Sequence, residues 1–381
     1  MSRFISPRFD RLCEYVPGEQ PQDMQYIKLN TNESPYPPSN GVLAAVDKDQ
    51  VKKLNLYPDP DCSMLYKKAA EMYGVSPENI VAGNGSDEIL SFCFAAFCDK
   101  DTGAVFPDIS YGFYEVFSEY YNLDYKKIPL NSDFSISPSD YFGANKTIFI
   151  ANPNAPTGIA LSLCDIENIL KANPDNVVVI DEAYVDFGAE SSISLINKYD
   201  NLVVVQTFSK SRALAGARLG FAITNKELAK DLNKLRFSSN PYNINRLTMQ
   251  AGIAAIDDND YYMNNCKKII ATRVRISNQL KALGFTVTES YSNFIFAKSD
   301  KISGADYYKA LRKNGVLVRH FGGERIKDHV RITIGTDEEM DELIRVIKKY
   351  LNNVENTYKY SQNIRNLLFK HSANVQYYDK I

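Results

Sequence analysis

The sequence predicts an α/β protein in two lobes: a large domain with a mainly parallel central sheet between helices, and a smaller α+β domain. Three observations lead there. The chain has 381 residues, more than the ~250–300 at which a single hydrophobic core stops growing. Short, wholly apolar, β-branched runs alternate with helical patterns between about 62 and 245, the mark of strands buried on both faces. Beyond about 245 the pattern changes to long helices and shorter strands.

Residues 1–40 read as an irregular arm, rich in Pro, Asn and Ser and running into Pro35-Tyr-Pro-Pro38; it belongs with the small domain as a lid over the site. The large domain takes 41–250, with helices at 62–73, 86–98 and 110–121 and strands at 103–106, 147–150, 177–180 and 202–206. Helices at 246–257 and 259–283 then lead into the small domain, 251–352, with strands at 285–288, 293–297, 316–319 and 330–334 and helices near 304–313 and 337–351. A C-terminal extension, 353–381, is Asn- and Tyr-rich and carries one helix-like stretch at Ile364, Leu367 and Leu368; docking of that helix on its own subunit is the expectation.

Apolar residues make up 44% and charged residues 24%, and 44 Lys+Arg against 46 Asp+Glu leave a formal charge of −2. Such a balance gives no electrostatic case for nucleic acid or an anionic membrane. No run approaches the ~20 apolar residues of a membrane span, and the N-terminus lacks the apolar core of a signal peptide. The six cysteines (13, 62, 93, 98, 164, 266) include no CxxC pair and read as reduced, small hydrophobes of a cytoplasmic protein. With only His320, His329 and His371, neither a multi-His metal site nor a His-dependent triad is supported, and no metal is expected.

Ligands of open α/β sheets bind beyond the carboxyl ends of the strands, and four segments place functional side chains there. In Val177-Val-Val-Ile-Asp181-Glu-Ala-Tyr184 an acidic pair follows a buried strand, where a carboxylate is costly without a partner. It could cap the next helix; it could also face a cationic ring nitrogen and hold it protonated, with Tyr184 reaching an adjacent phenolic oxygen. In Val203-Val-Val-Gln-Thr-Phe-Ser209-Lys210, followed by Ser-Arg-Ala-Leu-Ala-Gly-Ala-Arg218, a lysine at a strand exit is usually a solvated surface group. Here a hydroxyl and an arginine bracket it among small residues, as a carbonyl nucleophile beside an anchored phosphate requires.

The third segment, Gly83-Asn-Gly85-Ser86-Asp87-Glu, opens a helix whose N-terminus could receive a phosphate. Turns use Gly-x-Gly constantly, and neither the GxGxxG fingerprint nor a P-loop lysine is present. The fourth, Asn152-Pro-Asn154-Ala-Pro-Thr-Gly158, is a rigid turn; its amides could serve the turn alone or bond a cofactor oxygen or substrate carboxylate.

With these segments in view, the chain resembles the fold-type I aminotransferases, enzymes dependent on pyridoxal 5'-phosphate, and among them most the histidinol-phosphate aminotransferases, over about residues 8–351. The stretches that carry the resemblance are LNTNESPYPPS (29–39), YPDPDC (57–62), NGSDE (84–88), FPDISYGFY (106–114), NAPTG (154–158), DEAYVDF (181–187), TFSKSRALAGARLG (207–220), PYNIN (241–245) and VRITIG (330–335). Their order and spacing make the match specific. The resemblance implies that Lys210 holds the cofactor covalently and shuttles the substrate's Cα proton, that Asp181 pairs with the ring nitrogen, that Tyr184 contacts the phenolic oxygen and that Tyr111 stacks on the ring. It assigns the phosphate to Ser86, Asp87, Ser209 and Arg218, with Tyr57 arriving from the second subunit of a homodimer whose active sites are shared. Arg331 is the implied partner of a substrate carboxylate.

One departure stands out: where the family usually has Asn before Pro-Thr-Gly, this chain has Ala155, and Asn154 is the candidate to take over the contact. Tyr15 and Arg319 resemble the phosphate-end contacts of a phosphorylated donor, though Tyr15 could equally pack the arm and Arg319 make a salt bridge at a strand end; Asn32 could contact either substrate. The expected reaction is therefore amino transfer between histidinol phosphate and 2-oxoglutarate in histidine biosynthesis. Rival readings are another amino-acid aminotransferase, a threonine-phosphate decarboxylase, a non-catalytic cofactor-binding regulator, which lacks its DNA-reading module here, and a nicotinamide dehydrogenase, which lacks its glycine motif.

Overall fold

The computed structural model describes residues 2–10 and 12–353; the expected tail helix at Ile364–Leu368 lies outside them. The strands in chain order are β1 (Ile27–Lys28), β2 (Ile80–Gly83), β3 (Ala104–Pro107), β4 (Tyr125–Ile128), β5 (Thr147–Ala151), β6 (Val178–Asp181), β7 (Leu202–Thr207), β8 (Gly220–Thr224), β9 (Phe285–Val287), β10 (Phe294–Ser299), β11 (Val316–Leu317), β12 (Arg319–His320) and β13 (His329–Thr333).

The central sheet has the order β2-β8-β7-β6-β5-β3-β4. Its strands share one direction except β8, which is antiparallel to both neighbours. Alternation along each strand divides the core into two layers. Ile148, Ile150, Val178, Ile180 and Val204 face the helices Ser63–Tyr73, Leu163–Ala172 and Arg246–Asp257. Phe149, Ala151, Val179, Val203 and Val205 face Ser86–Phe97, Phe113–Tyr120 and Lys226–Ser239. Both faces are covered, so the inner strands β5, β6 and β7 are mostly apolar, as the sequence pattern required.

The small lobe pairs β12-β13-β10-β9 in an antiparallel sheet and β1 with β11 in a separate parallel ribbon. Its core takes Leu29 from the arm, Cys266, Ile269, Ile276 and Leu280 from the helix Asn259–Ala282, and Leu343 and Ile347 from the helical residues 337–353. Helix Arg246–Asp257 straddles the expected boundary at 250, yet its buried residues Ala251, Ala255 and Ile256 belong to the large-lobe core. The helix Asn259–Ala282 joins the lobes, with Tyr262 in one core and Cys266 onward in the other. Among the described residues no helix is long and apolar enough to cross a membrane.

Candidate active site

The carboxyl ends of β5, β6 and β7 converge on a cavity lined by Ser86, Asp87, Tyr111, Asp181, Tyr184, Ser209, Lys210 and Arg218, together with Thr31, Glu33, Ala155 and Thr207. Asp181 closes β6 and is buried; its carboxylate accepts bonds from the Tyr114 hydroxyl (3.1 Å) and the Ala183 N–H (3.3 Å). Burial, moderated by Tyr114, pushes its carboxyl up to about 7. A buried acid with two neutral donors and no cation is arranged for a cationic partner to arrive.

Lys210 follows β7. Its Nζ donates to the Thr31 carbonyl at 3.2 Å and lies 5.9 Å from the centre of the Tyr184 ring. Burial, reinforced by the charge of Arg331, lowers the amine to about 8, so a useful fraction is the free nucleophile near neutral pH.

At the other end Arg218 donates to Ser209 Oγ (3.1 Å) and to Asp87 Oδ2 (3.2 Å), and Tyr111 donates to Asp87 Oδ1 (2.7 Å). Ser86 opens the helix Ser86–Phe97 behind Gly85, whose φ of 82° is left-handed. A side chain at Gly85 would strike the Arg218 guanidinium, and a Cβ at Gly220 would lie 2.5 Å from Ser86 N. The helix N-terminus, two hydroxyls and one guanidinium thus surround a space kept open by glycine, a cradle for a phosphate.

A second chamber shares Thr31, Tyr111, Ala155, Tyr184 and Lys210 with the first and continues outward past Tyr15, Asn32, Ser110, Arg319, Phe321 and Arg331. Among the described residues no carboxylate lines it. Arg331 Nη2 donates to the Asn30 carbonyl at 3.1 Å, while its buried Nε has no partner among the described residues. Tyr15 stacks on Phe113 with ring centres 4.3 Å apart.

Several expected site residues stand differently from the sequence reading. Asn154 lines neither chamber: its Nδ2 donates to Ile109 O and Thr157 Oγ1 (both 3.0 Å) and its Oδ1 accepts from Ser110 Oγ at 2.8 Å. Its amide is thus engaged in the turn, and Ala155 lines both chambers. Asn32 lines the outer chamber, but its Nδ2 donates to the Tyr184 hydroxyl (2.9 Å) and its Oδ1 accepts from Thr333 Oγ1 (3.0 Å). Its amide orients Tyr184. Arg319 donates to the carbonyls of Val16 (2.8 Å) and Pro17 (3.0 Å) and so ties down the arm beside Tyr15.

Tyr57 lines neither chamber: it is 77% exposed and stacked on Tyr242 at 4.4 Å. The sequence reading missed Tyr114, which orients Asp181, and Thr31, which accepts from Lys210. Tyr114 lies within the FPDISYGFY stretch, but only the packing of the helix Phe113–Tyr120 against the sheet shows which aromatic turns inward. A backbone carbonyl such as that of Thr31 leaves no sequence signal.

A mixed sheet with a desolvated lysine, a buried acid and an anion cradle at its carboxyl edge has the parts that a group-transfer enzyme uses. The chain belongs to the class I and II aminotransferases, whose family pattern matches residues 24–347; it is a transferase of amino groups. Among its relatives, the histidinol-phosphate aminotransferase of Brachyspira hyodysenteriae is 51% identical over 354 residues, covering 93% of this chain and 100% of that one. That of Acinetobacter baylyi is 50% identical, covering 92% and 98%. The solved histidinol-phosphate aminotransferase of Sinorhizobium meliloti, in complex with pyridoxal-5'-phosphate, superposes with a TM-score of 0.83 at 25% identity, covering 92% and 99%.

Proposed function

We propose that this aminotransferase uses pyridoxal 5'-phosphate and moves the amino group of histidinol phosphate to 2-oxoglutarate. The residues fit the cofactor: Lys210 for its aldehyde, Asp181 for its ring nitrogen, Tyr184 for its phenolic oxygen, Tyr111 against its ring, and Ser86, Ser209 and Arg218 for its phosphate, with Asp87 fixing Tyr111 and Arg218. When bound, the cofactor's ring accepts electron density from the substrate's Cα. Lys210, with its amine lowered to about 8, takes and returns the Cα proton within the desolvated pocket.

The observation that carries the choice of substrate is the outer chamber, where Arg331 and Arg319 stand among tyrosines with no lining carboxylate among the described residues. A guanidinium with an unpartnered buried N–H suits a bidentate anion: the carboxylate of 2-oxoglutarate in one half-reaction, the phosphate of histidinol phosphate in the other. The approximately half-identical relatives named for that reaction support the same substrate. Following the spectral change of the cofactor with single donors tests this. Histidinol phosphate should react at least ~100-fold more efficiently than phenylalanine or tyrosine, about 3 kcal/mol in transition-state binding. Equal efficiencies would sink the reading, and release of CO2 in place of a keto product would make the enzyme a decarboxylase.

We also propose a cytoplasmic homodimer. Leu43, Val51, Leu54, Leu56, Tyr57 and Met64 are exposed apolar side chains within one short segment, more than a monomer usually shows to water. In such a dimer Tyr57 of that segment would enter the partner's phosphate cradle.

A further inference from the structure

The lobes are joined beside the outer chamber by a contact that the amino-transfer chemistry does not use. Residues 321–328 connect β12 to β13, and from this segment Arg325 reaches the large lobe. Its Nη1 donates to Asp108 Oδ2 at 2.7 Å, and its Nη2 donates to the carbonyls of Leu130 (2.7 Å) and Asn131 (3.0 Å). The other oxygen of Asp108 accepts the Leu130 N–H at 2.9 Å, so the guanidinium completes a closed ring of bonds. Beneath it, Ile326 and Phe296 of the small lobe pack with Ile109 and Leu130 of the large lobe.

Both ends of this contact lead directly into the chamber. Ser110 and Tyr111, just beyond Asp108, line one wall, and Phe321, four residues before Arg325, lines the other. Within the segment, Gly322 has nothing within 4 Å of where a Cβ would stand, while the Lys327 carbonyl lies 2.6 Å from His320 Nε2.

A half-exposed ion pair alone contributes little. A planar fork engaged with a carboxylate and two carbonyls of two different segments fixes orientation as well, which a point charge cannot do. We propose that Arg325 is a positioning residue: it latches the 321–328 segment to the 108–131 region, sets the spacing of the outer chamber's walls, and thereby favours donors long enough to touch both. A short 2-oxo acid held at Arg331 does not need the outer wall. The inference rests on the functional reading above only for the choice of donor.

The two half-reactions of the purified holoenzyme, measured separately, test it. Arg325→Ala should raise the KM for histidinol phosphate at least ~10-fold, leave that for 2-oxoglutarate within about twofold, and leave the visible absorbance of the lysine-bound cofactor unchanged. Arg325→Lys, which keeps the charge but not the fork, should recover part of the loss. Amide exchange in 108–111 and 321–328 should quicken in the alanine variant whatever the donor. Equal effects on both half-reactions, or unchanged exchange in the folded variant, would overturn the proposal. If wild-type enzyme ignored histidinol phosphate while exchange still quickened, the substrate reading would fall and the latch would stand.

Discussion

Lys210 is a cation held where solvation is poor, and its lowered amine links reactivity to stability. A lysine near 8 when folded and 10.5 when unfolded destabilises the fold fully below about pH 8. That penalty fades as pH rises to 10.5, and its size is on the order of 3 kcal/mol. Lys210→Met should therefore abolish turnover and the visible absorbance, yet raise the urea midpoint of the cofactor-free protein at pH 7, with the gain vanishing near pH 10.5. A variant equally destabilised at both pH values would show that packing, not charge, governs the position. Asp181 is tested by an isosteric change: Asp181→Asn keeps an acceptor for Tyr114 but cannot hold a ring nitrogen protonated. The expected loss in kcat is at least ~100-fold, about 3 kcal/mol, with little change in melting temperature. A mere helix cap would tolerate asparagine with little loss.

At the scale of elements, the phosphate cradle depends on how closely the Gly83–Ser86 turn approaches β8. Gly220→Ala places a methyl 2.5 Å from Ser86 N, and the backbone there must move to admit it. Gly216, with nothing within 4 Å, is the control. Gly220→Ala should weaken cofactor binding at least ~10-fold, or about 1.4 kcal/mol, in a fluorescence titration of cofactor-free protein, whereas Gly216→Ala should bind as wild type does. Equal affinities in the two variants would mean that the cradle is not shaped by this approach. The same elements show what a sequence reveals and what it conceals. β5, β6 and β7 were legible because burial on both faces demands unbroken apolar runs. Edge strand β4, Tyr125–Ile128, carries two exposed lysines and reads as a loop. The helix expected from 110 begins at Phe113, after a turn in which the Tyr111 carbonyl accepts the Tyr114 N–H at 3.1 Å and the Ser110 and Tyr111 side chains reach Asn154 and Asp87. Asn154 shows a related limit: a buried amide in a turn bonds its neighbours first, and spacing alone does not tell which atoms remain for a ligand.

At the scale of the whole molecule, Lys210 and its surrounding groups were legible as a set because strand ends bring them to one edge of the sheet. Tyr57 was not, since no intrachain geometry takes it to the cavity. Its ring rests on Tyr242 and its carbonyl accepts from Arg246 Nη2 at 3.0 Å, which holds it outward on the apolar face. If two chains share their sites, that outward placement has a consequence that mixing experiments can read. In a heterodimer of Lys210→Ala and Tyr57→Ala chains, one site contains both defects and the other contains neither. Random reassortment makes half of the dimers mixed, so two nearly inactive preparations, unfolded and refolded together, should recover about a quarter of wild-type activity. A tyrosine acting within its own chain would give no recovery, because every site would keep one defect. Sedimentation should at the same time show a dimer that Leu54→Asp shifts toward monomer, since a buried charge on that face has no partner. Recovery without a dimer in solution would contradict the shared-site reading outright, as would a dimer that never complements.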